Sequence, residues 1–119
     1  MIFTEIKIGG VFMIELERRC DERGFFGRQW CANEFRRAGL DPRVTQINAT
    51  RNLAAGTLRG VHYQKPPHAE VKLVRCIRGA VFHVPVDLRF GSPPFCQWFV
   101  NKKHLAEVQV ATEKADALG

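Results

Sequence analysis

The segment from Gly56 to Gly79, GTLRGVHYQKPPHAEVKLVRCIRG, holds histidine, several cations, a carboxylate and a Pro-Pro loop within one hairpin-sized stretch. A strand pair of that length would set a base, His62, near a cation, Lys72, on adjoining strands. A proton acceptor beside a fixed positive charge suits abstraction of a proton α to a carbonyl. The base takes the proton and the cation stabilises the enolate oxygen. Plainer readings stand beside this one. A lone histidine in a strand is usually a satisfied structural residue, and a lysine can run its stem along a core strand with its head in water.

The spacing Gly56-x5-His62, followed by Glu70, resembles that of a first cupin motif. Metal-binding cupins carry a second histidine two residues after the first; here that position is Gln64, and no second cupin motif follows. Without those ligands the expectation is no metal and no cofactor. His68 follows Pro66-Pro67 and reads as an exposed loop residue.

The elements that must carry these residues are short. Residues 2–8 and 11–18 are apolar-rich runs split by Gly9-Gly10, a hairpin signal. Ile14 and Leu16 alternate with Glu15 and Glu17, the period of a half-buried strand. DERGFFGRQW at 21–30 is a polar turn entering an aromatic strand. Asn33 to Ala38 reads as one short helix, with Asn33 as N-cap and Gly39 just past its end. Asp41-Pro42 then breaks the chain.

Further strands are expected at 44–50, 57–64, 70–77, 80–88 and 95–100, with Arg78-Gly79 turning between the third and fourth of these. In 80–88, Phe82, Val84, Val86 and Leu88 share one face and His83 and Asp87 the other; Pro85 suggests an edge or a bulge. Many short strands, regular turns and little helical periodicity predict an all-β, antiparallel sandwich or barrel with one short helix. Residues 101–119 differ: they hold good helix formers and no aromatic residue, and read as a loose helix or frayed tail beyond a 1–100 domain, ahead of the alternative of a core strand.

The 119 residues suffice for one domain. No apolar run is long enough to span a membrane, and MIFTEIKIGG does not read as a secretion signal. The cysteines, Cys20, Cys31, Cys76 and Cys96, form no CxxC pair and are expected to be reduced thiols in a cytoplasm. The net charge of +6 suits an anionic partner. The basic residues are dispersed, without the run that a DNA-binding arm would show.

GTLRGVHYQKPPHAEVKLVRCIRGAVF, with VDLR and GSPPF after it, resembles the signature block of the dTDP-4-dehydrorhamnose 3,5-epimerase family. DERGFF at 21–26 and Gln46-Ile47-Asn48 are similar to two further family segments, in order and at fitting separations, from about residue 2 to Trp98. The resemblance implies an antiparallel cupin-like jelly roll, here incomplete, that works without a metal and forms homodimers. It implies epimerisation at C3 and C5 of dTDP-4-keto-6-deoxyglucose, on the way to dTDP-L-rhamnose. The partner would be a dTDP-sugar, with no nucleic acid and no membrane.

Carried over by motif, His62 would be the proton acceptor and Lys72 would sit near the C4 keto oxygen. Arg59 would bind the diphosphate or sugar; Arg23 and Phe26 would touch the nucleotide; Gln46 and Asn48 would line its pocket. Gln46 and Asn48 are two apart and share a strand face. Arg59 and His62 are three apart and do not, unless Gly60 makes a bulge.

Three departures from the family pattern stand out. After Trp98 the pattern is expected to stop, and with it the segment carrying the catalytic tyrosine and the aspartate partner of the histidine. Tyr63 is the only tyrosine here. Arg28 stands where some members have a glutamate, and His83 where aspartate is usual. A second reading is therefore a catalytically impaired cupin that only binds a nucleotide sugar or serves as a structural dimer.

Overall fold

Strand β1 (Ile2–Glu5) turns through Gly9-Gly10 into β2 (Val11–Glu15), in antiparallel register from Ile2↔Glu15 to Glu5↔Phe12. Gly10 takes a φ of 82°, a region that a side chain disfavours, and its N–H donates to Glu5 Oε1 at 2.8 Å. The expected hairpin forms, with shorter strands than the apolar runs suggest. These features come from a computed structural model that describes residues 1–100 and 109–112.

The register sets Phe3 opposite Ile14 on one sheet face, and helix α1 (Ala32–Arg37) covers that face. Ile14, Phe35 and Leu40 form the buried core, with Met1, Phe3, Phe12 and Ala38 packed on it. Six residues are too few for a helix stable by itself, so this packing holds α1 in place. The helix ends as expected at Gly39, whose φ is 79°. Gly39 N–H donates to Arg36 O at 3.0 Å and Leu40 N–H to Phe35 O at 2.9 Å. That is a Schellman cap, and its usual apolar contact is the Phe35–Leu40 pair.

The start of the helix differs from expectation. Cys31, not Asn33, is the N-cap residue, and it makes no side-chain cap bond. Asn33 lies inside the first turn, where its Oδ1 accepts from Arg36 Nη1 at 2.8 Å.

A second hairpin pairs β3 (Arg18–Asp21) with β4 (Gly24–Gly27) as a two-stranded ribbon. The main sheet has four strands in the order β1-β2-β6-β5, all antiparallel, where β5 is Lys72–Arg75 and β6 is Gln109–Thr112. This corrects the expectation for the tail. Residues 109–112 form neither helix nor frayed end but an interior strand, hydrogen-bonded to β2 on one side and β5 on the other. Two open ladders there outweigh the helix propensity of the segment. The rest of the tail lies outside the described residues.

The expected 70–77 strand shortens to β5 and pairs with β6 rather than with 80–88. The segments 44–50 and 57–64 form no ladder. Their apolar residues stay outside: Ile47 and Leu58 are each 88% exposed. A strand needs a partner edge, and none lies beside these segments among the described residues. Segment 80–88 pairs only briefly, through the Val86↔Trp98 bridge.

That bridge is pinned by Asp87, which is buried. It accepts from Arg89 N–H at 2.8 Å, Arg89 Nε at 3.0 Å, Arg89 Nη2 at 2.7 Å and Ser92 Oγ at 2.6 Å. Its own backbone takes Cys96 N–H at 2.7 Å and gives to Gln97 O at 3.0 Å. The face carrying Asp87 is thus the inner one at this point, while Phe82 on the opposite face is exposed.

The Arg89 guanidinium, then the Ser92 hydroxyl, hold the Asp87 carboxyl well below the usual carboxylate range. The folded chain therefore binds fewer protons there than the unfolded chain. The stability this gives is complete above the unfolded value of about 3.9 and is lost as pH falls below it. Asp87→Asn is expected to cost about 1.5–3 kcal/mol near neutrality. In urea unfolding across pH, that gap should close as pH falls below about 4; a gap independent of pH would show that the charge does not matter.

No helix among the described residues is long and apolar enough to cross a membrane.

Candidate functional site

The β3–β4 ribbon presents two of the candidates. Arg23 sits in its turn, where its N–H donates to Asp21 Oδ1 at 2.9 Å and its Nη2 to Asp21 Oδ2 at 2.6 Å. The Arg23 side chain and N–H hold the Asp21 carboxyl below its ordinary value. Phe26 lies opposite Arg19 and is 74% exposed. The ring is not packed in the core but offered outward beside an arginine. Phe25 points to the other face, where the Arg18 guanidinium lies 4.7 Å from its ring centre.

The next group lies along 44–64. The side-chain amides of Gln46 and Asn48 meet at 3.4 Å, as the two-residue spacing predicts. A turn through 53–56 follows, closed by Thr57 Oγ1 donating to Ala54 O at 2.8 Å and by Gly56 at φ 76°. Across it Arg59 Nε donates to Asn52 Oδ1 at 2.7 Å. Gly60 takes a φ of 114°, so the strict alternation between Arg59 and His62 is broken where a glycine allows it. A Cβ on Gly60 would lie 3.8 Å from His62 Nδ1, which puts the imidazole beside the Gly60 backbone.

The third group joins this segment to β5. Lys72, the first residue of β5, places its Nζ 2.8 Å from Glu70 Oε1. With its side-chain NH2 turned to donate, Gln64 reaches both Glu70 oxygens at 2.9 and 3.0 Å and His68 O at 3.2 Å. His68 is exposed in a turn, its N–H donating to Lys65 O at 2.9 Å. Gln64 is two residues past His62, so the Gln64–Glu70–Lys72 chain links the histidine's segment to the lysine's strand. The sequence names Glu70 only through its cupin-like spacing from His62 and gives it no part in holding Lys72. Its two-residue spacing from Lys72 was the available signal, since it puts both on one side of an extended chain.

The two charge departures also have structural settings. Arg28 Nη1 is 2.5 Å from Glu34 Oε1, so its cation is engaged by the helix. His83 is half-buried, and burial lowers its pKa and favours the neutral ring. All four cysteines are free thiols.

The arrangement is a set of local pairs on an open surface: Arg23 with Asp21, Gln46 with Asn48, Arg59 with Asn52, and Lys72 with Glu70 and Gln64. It offers cations, amide donors, the exposed Phe26 ring and an imidazole.

The sequence pattern of the dTDP-4-dehydrorhamnose 3,5-epimerase family matches residues 5–110. The match does not stop at Trp98, as the sequence alone had suggested, but runs into β6. An enzyme of that name from Sinorhizobium fredii is 40% identical over 98 residues, 82% of this chain and 50% of the relative. One from Mycolicibacterium smegmatis is 42% identical over 102 residues, 82% of this chain and 49% of the relative. The chain thus spans about half the length of these curated relatives.

The crystal structure of the Bacillus anthracis epimerase, with TDP and PPi bound, superposes with a TM-score of 0.87 at 32% identity, covering 95% of this chain and 65% of that one. A 4-keto-6-deoxy sugar epimerase from the novobiocin cluster of Streptomyces spheroides gives 0.80 at 35%, covering 94% and 57%. The antiparallel strands with one short helix are therefore the cupin-type jelly-roll architecture of these epimerases. By pattern, identity and fold, this chain belongs to the dTDP-4-dehydrorhamnose 3,5-epimerase family.

Proposed function

We propose that this protein acts on a dTDP-linked 4-keto-6-deoxy sugar as a 3,5-epimerase of dTDP-L-rhamnose biosynthesis. The observation that carries the reading is the tie from His62's segment through Gln64 and Glu70 to Lys72, within a chain of this family. His62 takes the proton from C3 or C5, and the electron pair moves onto the C4 oxygen. The Lys72 ammonium stabilises that oxygen, and a proton returned to the opposite side of the carbon inverts it. Arg59 holds the diphosphate or sugar, and Arg23, Phe26, Gln46 and Asn48 receive the nucleotide. The reaction so written uses side chains alone and needs no cofactor. The test is solvent deuterium incorporation at C3 and C5 of dTDP-4-keto-6-deoxyglucose, with dTDP binding measured by titration.

The same reading makes the protein a cytoplasmic homodimer. The exposure of Ile47, Leu58 and Val61, at 72–88% on segments that meet no ladder among the described residues, supports a second copy as their cover. Light scattering should give twice the chain mass; a stable monomer at micromolar concentration would refute it.

A further inference from the structure

We propose that Glu70 is a positioning residue, which holds the Lys72 ammonium where the enolate oxygen forms and is itself oriented by Gln64. The inference rests on the catalytic reading of Lys72 given above and adds to it a residue that touches neither substrate nor proton.

A lysine head on a four-carbon stem samples many positions, and Lys72 is nearly half exposed at the start of β5. Stabilising a transient oxyanion requires the charge to be in place beforehand. Glu70 Oε1, 2.8 Å from Nζ, supplies the anchor. An isolated ion pair at a surface fixes little by itself. Here the carboxylate is held as well: the Gln64 NH2 reaches both of its oxygens, and also His68 O. A neutral amide donor orients Glu70 without cancelling its charge, so the full anion remains for Lys72. Gln64 stands where metal-binding cupins carry a second histidine. In this chain an ammonium and an amide sit on the Glu70 oxygens.

The test compares wild type, Glu70→Gln and Glu70→Asp in the full chain, by two readouts. The first is acylation of lysines at fixed neutral pH, mapped by mass spectrometry, with Lys72 expressed relative to Lys65. The second is deuterium incorporation into dTDP-4-keto-6-deoxyglucose. In Glu70→Gln, Lys72 labelling should rise several-fold. Exchange at saturating substrate should fall about tenfold while the half-saturating concentration moves much less, because the group is displaced rather than removed. Glu70→Asp should recover part of both. Unchanged Lys72 labelling, or exchange lost only through weaker substrate binding, would overturn the role while leaving the epimerase reading intact. Increased labelling in a protein whose wild-type exchange equals that of His62→Ala would overturn the epimerase reading and the positioning role with it.

Discussion

Replacing His62 with alanine is expected to lower solvent deuterium exchange at C3 and C5 by about 10²–10⁴-fold, the usual contribution of a positioned general base. The imidazole lies beside the Gly60 backbone, where φ of 114° lets the chain turn between Arg59 and His62. It is exposed, so substrate would reach it without a rearrangement of the core. dTDP binding should be nearly unchanged in the variant, because the groups assigned to the nucleotide lie elsewhere, on the β3–β4 ribbon and along 44–48. A variant that keeps wild-type exchange would remove His62 from the chemistry. Loss of dTDP binding together with exchange would point to a structural role for the ring.

Phe35→Ala is expected to cost about 3–5 kcal/mol, the range for emptying a buried aromatic site. Phe35 is 3% exposed and meets Phe3 edge to face, with ring centres 5.4 Å apart; Trp30 lies at 6.3 Å. It is also the residue whose carbonyl accepts the Leu40 N–H in the helix cap. One ring therefore joins β1, α1 and the cap. A domain of this size is typically stable by only about 5–15 kcal/mol, so the loss is a large share of the total. Urea unfolding should show a much lower midpoint, or no folded baseline at all. Phe35→Leu should retain most of the stability, since it keeps the apolar volume better. A midpoint for Phe35→Ala within the error of wild type would show that this core does not hold the sheet.

These two residues differ in how they could be read from sequence. The helix that carries Phe35 was legible through its C-terminal glycine, because a left-handed cap is a local requirement. The β1–β2 hairpin was legible through Gly9-Gly10 for the same reason, whereas the β3–β4 ribbon read only as a polar turn entering an aromatic strand. His62, Lys72 and Arg59 were singled out by motif, and the Gln46–Asn48 contact was legible from simple alternation. What stayed hidden was set by distant parts of the chain. Val108, Val110 and Thr112 alternate as β-branched residues do in a strand, yet their neighbours favour helix; only the two open edges of β2 and β5 decide the matter. Conversely, 44–50 and 57–64 have strand composition but meet no edge among the described residues, and composition alone does not supply one.

The interior place of β6 has a kinetic consequence. It joins positions 11–14 to positions 109–112, about a hundred residues apart, and β5 reaches the sheet only through it. The two glycine hairpins close over a few residues and are free to form early. The four-stranded sheet must wait for a search across nearly the whole chain. Until that search ends, β2 and β5 each present an unsatisfied ladder, so the hazard of mispairing between chains is concentrated in the refolding interval and grows with protein concentration.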